Sequence, residues 1–485
     1  HVVTPAQVGA DTDDIPEGTT NKYQGSNIIK CSDYDHPDDA ITAIGADNKT
    51  LIVTEAETCD VNFTVPANVT VKFERGGKWT INTGITVTFN GQIDAGLWQI
   101  FAYEGTGTIN FGNGYIKEFY PQWWGAIGDN STICTTAIQT AIDAAYNSTI
   151  GFVKLVSGIY KTDATITLKP EVTLCGEHKS NYRGTRINFN VSEADVCIDV
   201  YGDGALGSVI KNITINGGYA GSTGIYIRRP STTLDGVVII FTGNECILVE
   251  ADSWFSKLQN IYISNSGTVN YGIRFLTNAN SVTLKDFVII GTKVNGIRIE
   301  GGSALIIKDG NVSDINNVSA TAGIYVTKCK NLTLKDLYIE NNRVSDIILT
   351  GTENNEINNT IISGCRLNGV DVATNTRGIY LIGQYTKNTT IMNCYIERHP
   401  AYDIHLYNAP NSTVLLNNTY TILSNNTHVG YMEINDNNIF ISNNCGIRAT
   451  ESSNEQLIFG RITDAVNYFK MTHSATGNGV TLESL

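Results

Sequence analysis

The segment NLTLKDLYIENN, residues 331–342, contains the pattern that decides the fold. Leucine and isoleucine alternate with polar residues on both sides of the Lys335-Asp336 pair, and the run ends at a carboxylate, Glu340. Alternation with a period of two is typical of a strand with one buried face, and Asp between two such runs indicates a turn. The segment therefore predicts two short strands joined by a sharp turn.

The same pattern recurs along the chain at intervals of 23 to 29 residues. Its copies begin at Ile210, Leu234, Leu258, Leu284, Ile307, Leu334, Ile362, Ile391, Leu416 and, more weakly, Ile441. A second pattern, GIYI and its variants, interleaves with the first and begins at Gly224, Cys246, Gly272, Gly296, Gly323, Asp346, Gly378 and Asp403. Such self-similarity indicates stacked supersecondary units, and neither a leucine-rich frame nor a helical period is present. The sequence predicts an all-β solenoid. Each copy of the repeat forms one turn of the solenoid, which is called a rung below.

Two features upstream extend this prediction. Residues 66–96 alternate in the same way, so we expect the solenoid to begin near residue 50. Residues 132–146 instead have a helical period, which predicts an amphipathic helix covering an open end of the solenoid core. Its apolar face contains Ile133, Ala137, Ile138, Ala141 and Ile142.

Composition and charge exclude several classes of protein. The 485 residues carry a net charge of -14, so the basic surplus required for nucleic-acid binding is missing. No run approaches the roughly 20 apolar residues that cross a bilayer, so no membrane insertion is predicted. The 10 cysteines form no CxxC pair, and the histidines are not clustered, so we predict neither a metal site nor a cofactor.

The segment Trp124–Ala145, WGAIGDNSTICTTAIQTAIDAA, resembles the motif that opens pectate-lyase-like right-handed β-helices, particularly those of bacteriophage tailspikes. Its DNSTICTT replaces a stretch that carries paired aspartates in those proteins. The resemblance implies a right-handed parallel β-helix, a homotrimer, and a virion-tail, extracellular protein that binds and often cleaves bacterial surface polysaccharide. Residues 3–23 resemble tail-fibre connectors, which implies contact with other tail proteins through the N-terminal segment.

These observations predict four regions. Residues 1–25 are an N-terminal connector, and residues 26–120 are a β-rich region with the first solenoid rungs. Residues 121–445 are the right-handed parallel β-helix with its capping helix at 132–146. Residues 446–485 break the repeat and are predicted to form a C-terminal β cap or trimer contact, because a last rung leaves edge groups that must be covered.

Function must be argued from the outward-facing residues of the rungs. In the GIYI strands the outward column reads Tyr226, Leu248, Arg274, Arg298, Tyr325, Ile348, Tyr380 and His405. In the other strand it reads Thr214, Val238, Tyr262, Val288, Asn311, Tyr338, Arg366, Tyr395 and Tyr420. Aromatic rings and guanidinium groups suit sugars, although tyrosine ladders also stabilise strands. The predicted polysaccharide-binding residues are Tyr325, Tyr338, Arg343, Arg366, Tyr380, Tyr395, Arg398, His399 and His405.

The residue that follows the strand gives a third column, which reads Ile290, Ser313, Glu340, Asn368, Glu397 and Ile422. Glu340 and Glu397 lie two rungs apart, so their backbones are predicted to be roughly 9.5 Å apart. That value reaches the upper end of the carboxyl separation in inverting glycosidases, so we predict that this pair is catalytic. If the register is shifted by one turn, the substitutes are Asp314, Asp346, Asp371 and Asp403.

The function predicted from the sequence is binding and endo-hydrolysis of a bacterial capsule or O-antigen. A non-catalytic carbohydrate-binding adhesin or structural fibre remains an alternative, because outward aromatic columns suit both. A polysaccharide lyase is a second alternative, although the chain lacks the clustered aspartates of a pectate-lyase calcium site.

Overall fold

A computed structural model describes most of the chain. It covers residues 27–112, 116–148, 150–178, 184–190, 195–201, 207–218, 222–250, 253–264, 270–315, 317–369, 377–399 and 402–407. Beyond residue 407 it covers the eight strands named below between residues 414 and 484, and from residue 406 onward it describes the backbone alone. The chain divides into two compact units, the first built mainly from residues before 118 and the second mainly from residues after 150.

The first unit is a short parallel β-solenoid with three sheets. One sheet contains Ile28–Lys30, Lys49–Val53, Val69–Phe73 and Gln92–Ala95. A second contains Ala56–Cys59, Lys78–Ile81 and Phe101–Tyr103, and the third contains Phe63–Val65, Thr86–Phe89 and Thr108–Phe111. Each strand pairs in parallel with its equivalent one rung later.

Aromatic side chains fill the core of this unit. Phe73, Trp79, Phe89 and Phe101 are at most 1% exposed, and their ring centroids lie 5.3 to 5.7 Å apart. Most of these pairs meet edge to face, the arrangement that the ring quadrupole favours.

A helix in this unit, Pro37–Ile44, was not predicted from the sequence. Proline occupies its first turn, together with Asp38 and Asp39, and these residue types suit a helix N-terminus. Ala40, Ile41 and Ile44 form its buried face. A 3₁₀ turn, Cys31–Asp33, precedes it.

The second unit is the parallel β-solenoid that the repeats predict, and it contains two extended sheets. The long sheet contains Asp129–Ile133, Phe152–Leu155, Gly158–Thr162, Thr173–Gly176, Thr185–Phe189, Val209–Lys211, Thr214–Asn216, Thr233–Asp235, Val238–Ile240, Lys257–Ser264, Thr283–Ile290, Ile306–Ser313, Cys329–Glu340, Ile357–Ser363, Arg366–Asn368, Thr386–Met392, Tyr395–Glu397, Val414–Leu416 and Thr419–Thr421. The short sheet contains Ile166–Leu168, Val196–Val200, Thr223–Ile227, Glu245–Val249, Tyr271–Phe275, Asn295–Ile299, Ala322–Val326, Ser345–Thr350, Arg377–Ile382, Tyr402–Tyr407, Tyr431–Ile434 and Gly446–Ala449.

The sharp turn predicted inside each copy of the repeat is confirmed. Eight consecutive rungs place a left-handed residue there, with φ between 51° and 69°: Asn212, Gly236, Asn260, Asp286, Asp309, Asp336, Gly364 and Asn393. Glycine adopts this conformation without a steric penalty, and Asn and Asp tolerate it because their short side chains bond locally. The apolar residue two positions earlier is at most 1% exposed in every one of these rungs, so the core is a continuous stack.

The Lys-Asp pair of the opening segment also has a structural explanation. Lys285, Lys308 and Lys335 stack in one outward column of the long sheet. Each lysine forms an ion pair with the aspartate that follows it, at 3.1 to 3.6 Å. The ladder therefore neutralises its own charge at every rung.

The helix predicted at residues 132–146 spans Thr135–Asn147 and buries Ala137, Ile138, Ala141 and Ile142. Ile133 was predicted on the same face, but this was wrong. It ends the strand Asp129–Ile133 and is 55% exposed. A 3₁₀ turn, Pro121–Trp124, lies just upstream.

Two sequence alignments fail near the C-terminal end of the repeat. Ile391 pairs with Leu415, so that rung begins one residue before the predicted Leu416. The predicted copy at Ile441 does not continue the long sheet, because the strand Phe440–Ser442 lies in a separate sheet with Gln456–Phe459, Phe469–His473 and Val480–Ser484. The last two pairings of that sheet are antiparallel.

Candidate functional site

Strand pairing brings the two predicted carboxylates into one column of the long sheet. Glu340 pairs with Asn368, and Asn368 pairs with Glu397. The column starts with Ile290 and Ser313, as predicted, but it continues to Thr421 rather than Ile422 because of the shifted register. For the same reason, Thr419 rather than Tyr420 follows Tyr395 in the neighbouring column.

An arginine lies between two tyrosines beside these carboxylates. Tyr338, Arg366 and Tyr395 occupy consecutive rungs of the outward column. The guanidinium carbon of Arg366 is 5.6 Å from the ring centroid of Tyr338 and 5.3 Å from that of Tyr395. Both distances permit cation–π attraction. The Arg366 side chain remains 56% exposed, so the group is accessible to a ligand from solution.

Both carboxylates hydrogen-bond to this face. Tyr338 donates its hydroxyl to Oε2 of Glu340 at 2.7 Å. Arg366 donates from Nη2 to Oε1 of Glu397 at 3.0 Å, and Tyr395 donates its hydroxyl to the other oxygen at 3.3 Å. The hydrogen bond to Glu340 raises the pKa of Tyr338, which keeps the phenol protonated as a donor. The five side chains thus form one connected surface.

Asn368 lies between the two glutamates in the column. Its side-chain oxygen is enclosed, yet it accepts no hydrogen bond from any described residue. Enclosed polar atoms are normally satisfied, so this oxygen is an exception within the column.

Three other predicted binding residues lie on the short sheet, a different face of the rungs. Tyr325 lies beneath Arg298, whose guanidinium carbon is 4.4 Å from the ring centroid. Tyr380 stacks on His405 with centroids 4.5 Å apart and an interplanar angle of 5°. His405 is 6% exposed, so little of its ring reaches solvent. The structure therefore divides the predicted binding residues between two surfaces.

His399 is not on either surface. Its side chain is 1% exposed and lies between two buried carboxylates, Asp346 at 2.9 Å and Asp403 at 3.4 Å. Asn342 donates a hydrogen bond to the other oxygen of Asp346 at 2.8 Å. Direct contact between His399 and a polysaccharide, as predicted from the sequence, is incompatible with this burial.

The charges of this buried cluster depend on one another. Burial lowers the pKa of His399, but the hydrogen bond to Asp346 and the ion pair with Asp403 outweigh burial and raise the pKa to about 9. Burial raises the pKa of both carboxyls, and His399 partly opposes that effect. The cluster is therefore a cationic imidazole held between two acids inside the solenoid.

The sequence contains a pattern that could have predicted this cluster. Strand pairing places Gly378 between Asp346 and Asp403 in the short sheet. A Cβ added at Gly378 would lie 3.3 Å from the His399 ring and one added at Gly369 would lie 2.8 Å from it, so both glycines leave room for the imidazole. Asp346, Gly378 and Asp403 occupy equivalent positions in three successive rungs, and this pattern in the sequence could have indicated a buried polar cluster.

The remaining predicted residues are placed as follows. Arg343 is exposed, and Arg398 is half-buried in a left-handed turn at φ 62°. Asp314 is exposed and accepts a hydrogen bond from Asn341, whereas Asp346 and Asp403 are buried and do not face solvent. Asp371 lies outside the described residues.

The described part of the chain contains neither a cluster of metal ligands nor a membrane-spanning helix. No group of three or more His, Cys, Asp or Glu side chains there has an arrangement that could hold a metal ion. None of the helices there is long and apolar enough to span a membrane.

Residues 271–421 and 322–481 match the family described as "Right handed beta helix region". This part of the chain is a right-handed β-helix. The match includes Glu340, Arg366 and Glu397, so the candidate site lies within the β-helix. A search of curated proteins finds no match to the sequence.

Several solved structures are similar to the chain. The surface adhesin PfbA of Streptococcus pneumoniae is 14% identical over 68% of this chain and 96% of its own, with a TM-score of 0.45. The enzymatically active domain of bacteriophage CBA120 tailspike protein 2 is 14% identical over 68% and 47%, with a TM-score of 0.44. The catalytic unit of an α-1,3-glucanase from Streptomyces thermodiastaticus is 14% identical over 70% and 70%, with a TM-score of 0.49.

Proposed function

We propose that the protein is a tailspike-like receptor-binding protein that binds a bacterial surface polysaccharide, either capsule or O-antigen. It hydrolyses internal glycosidic bonds of that polysaccharide. One observation carries this proposal. Glu340 and Glu397 lie two rungs apart in one column of the β-helix, with Asn368 between them, and the neighbouring column is formed by Tyr338, Arg366 and Tyr395.

The spacing of the two carboxylates supports hydrolysis with inversion. Adjacent strands lie about 4.8 Å apart, so the backbones of Glu340 and Glu397 are separated by about 9.5 Å. Inverting glycosidases need roughly 6.5 to 9.5 Å between the carboxyl groups, which leaves room for a water molecule behind the sugar. A retaining enzyme needs about 5 Å, which corresponds to one rung rather than two.

The hydrogen bonds suggest which carboxyl has which role. Glu397 is bound to the guanidinium of Arg366, which stabilises a negative charge, so Glu397 is assigned as the base that removes a proton from water. Glu340 is bound to a neutral hydroxyl and is assigned as the acid. It protonates the glycosidic oxygen as the bond from that oxygen to the anomeric carbon breaks. The hydroxide derived from water adds to that carbon from the opposite face.

The aromatic residues of this surface are assigned to substrate binding. Tyr338 and Tyr395 offer ring faces and edges to the C–H groups of a pyranose, and Arg366 offers N–H donors to its hydroxyl or acidic groups. Tyr325 and Tyr380 on the short sheet would extend the contact to a neighbouring face. Arg343 and Arg398 supply further charge near the same rungs.

A non-catalytic glycan-binding protein is a second candidate. The favouring observation is that Glu340 and Glu397 are both engaged by hydrogen bonds in this structure. In that case the carboxylates fix the orientation of the tyrosines and the arginine, and the surface binds sugar without cleaving it.

A depolymerisation assay tests the proposal and separates these two candidates. Purified capsule or O-antigen is incubated with the protein, and new reducing ends are measured. Glu340→Gln and Glu397→Gln should each retain binding and lose about 100-fold or more in turnover, the scale of lost acid–base catalysis. Glu104→Gln, an exposed carboxylate of the first unit, is the matched control. Parental turnover in both site variants would refute the catalytic assignment, and binding without any cleavage by the parent would favour the adhesin.

We extend the proposal to assembly. As a tailspike-like protein, the chain would form a homotrimer on the virion tail, with residues 1–25 contacting other tail proteins. Residues 1–25 lie outside the described residues. Light scattering of the intact chain at micromolar concentration should give three times the 52.7 kDa chain mass. A monomer mass would contradict this part of the proposal.

A further inference from the structure

Two large aromatic residues are exposed side by side on a turn that the proposed function does not use. Trp254 is 46% exposed and Phe255 is 64% exposed. Their side chains gain little from folding, because most of their apolar surface stays in water. The pair therefore has no evident purpose in the stability of the fold.

The backbone at Phe255 reinforces this conclusion. Phe255 belongs to a column of left-handed turn residues with φ between 51° and 58°, whose other members are Ser231, Ser281, Ala304, Asn331, Asn359 and Asn388. Those residues are small or are asparagines, which tolerate this conformation. A bulky residue at positive φ is an outlier, and strain of this kind is retained mainly at functional positions.

Trp254 leads a line of polar residues along the turn edge of the long sheet. The Phe255 N–H donates to the carbonyl of Asn280, which places the aromatic pair one rung from Asn280. Asn280 pairs with Ser303, and Ser303 pairs with Lys330. At about 4.8 Å per rung, Trp254 and Lys330 lie about 14 Å apart along the edge.

A groove of about 430 Å³ follows this line, within the size range of ligand pockets. Its lining offers amide, hydroxyl, ammonium and carboxylate groups, from Asn278, Asn280, Gly302, Ser303, Lys328, Lys330, Glu353, Asn354 and Glu356. Interfaces between protein subunits have cores depleted of charged residues, so this lining suits a hydrophilic ligand better than a second copy of the chain.

The charges in the groove favour an acidic ligand. Among the described residues, neither Lys328 nor Lys330 forms an ion pair, whereas the lysines of the Lys-Asp ladder are each neutralised. Glu356 is already bound to Lys387 at 2.8 Å. Two lysines therefore face the groove against one remaining carboxylate, Glu353.

We propose that this turn-edge groove is a second, non-catalytic glycan site. It binds an oligosaccharide segment with one sugar ring on the Trp254–Phe255 pair and the carboxylate of another sugar at Lys328 and Lys330. The inference rests on the proposed glycan ligand but not on cleavage. Lys330 precedes Glu340 by 10 residues in the same rung, and two strand segments separate them, so the groove is distinct from the Glu340–Glu397 surface.

An array of bacterial oligosaccharides, with hexuronate-containing and neutral members, tests this site on the full chain. Trp254→Ala and Lys330→Ala should each weaken binding of hexuronate-containing members by about tenfold, and added salt should weaken the parental binding further. Tyr146→Ala, at a 41% exposed aromatic residue of the helix Thr135–Asn147, is the matched control and should bind as the parent does.

Phe255→Asn separates binding from folding. It introduces the residue that the turn column prefers, so the melting temperature should stay the same or rise while hexuronate binding falls. Unchanged binding in Trp254→Ala, Phe255→Asn and Lys330→Ala would overturn the second site and leave the proposed function standing. A preference for neutral members would overturn the acidic specificity. A parent that binds no oligosaccharide would overturn both proposals.

Discussion

The buried His399 cluster predicts a loss of stability at alkaline pH. The pKa of His399 is about 9 in the folded protein, against 6.5 for an unperturbed histidine. The folded state therefore binds this proton more tightly than the unfolded state does. Its contribution to the free energy of unfolding is complete below pH 6.5 and is lost as the pH rises towards 9.

The size of the effect follows from the same two values. At 1.36 kcal/mol for each unit of pKa, the difference corresponds to about 3 kcal/mol. Because the His399 side chain is only 1% exposed, screening by solvent does not reduce this value as it would at the surface. Asp346 and Asp403 on the short sheet act directly on the pKa of the His399 imidazole. Asn342 and Glu340 act on it through Asp346.

Guanidinium unfolding at pH 6.5 and pH 9 measures the effect. The parent should lose about 3 kcal/mol more than the double variant Asp346→Asn with Asp403→Asn, in which burial alone keeps His399 neutral. Exchange of the imidazole C2 hydrogen, followed by mass spectrometry, gives the His399 pKa directly. Equal pH dependence in the two proteins, or a His399 pKa at or below 6.5, would refute the reasoning.

Three further predictions concern the turns and the core of the β-helix. Asn393→Val should lower the free energy of unfolding by about 1 to 2 kcal/mol, because a β-branched residue resists φ near 53°. Asn393→Gly should stay within about 1 kcal/mol of the parent. Equal losses of stability for the two variants in thermal unfolding would contradict this prediction. Leu334→Ala should cost about 2 to 5 kcal/mol in denaturant titration, and a cost under 1 kcal/mol would contradict the stacked core. Cys365 and Cys394, each 1% exposed, should react with a thiol reagent only on unfolding, so rapid labelling of the native protein would contradict their burial.

The architecture was predictable because its determinants are local and repeated. Alternation fixes which side chains point inward, and Asn, Asp or Gly fixes the turn, so the rung containing Leu334 and Asp336 could be read from one segment. Repetition of that rung along the chain places Glu340, Asn368 and Glu397 in one column, and the strand pairing confirms this placement. The assignment failed near Leu416 because two consecutive asparagines, Asn417 and Asn418, offer two possible registers.

The structural features that the sequence did not predict depend on contacts between residues distant in sequence or on segments too short to show a period. His399 lies just after an outward-facing strand, yet its side chain turns inward between two aspartates, next to two glycines, Gly369 and Gly378. The helix Pro37–Ile44 has a good N-terminus but only eight residues, too few for a clear period. Ile133 fits the helical face by spacing, yet it is taken by a strand that ends just before the helix begins.

A crystal structure of the Glu340→Gln variant with an oligosaccharide of the host surface polysaccharide tests the central claim most directly. The account predicts a sugar ring against Tyr338, Arg366 and Tyr395, with a glycosidic oxygen within hydrogen-bond distance of residue 340 and a water molecule at Glu397. An oligosaccharide bound elsewhere on the β-helix, with this surface empty at saturating ligand, would contradict it.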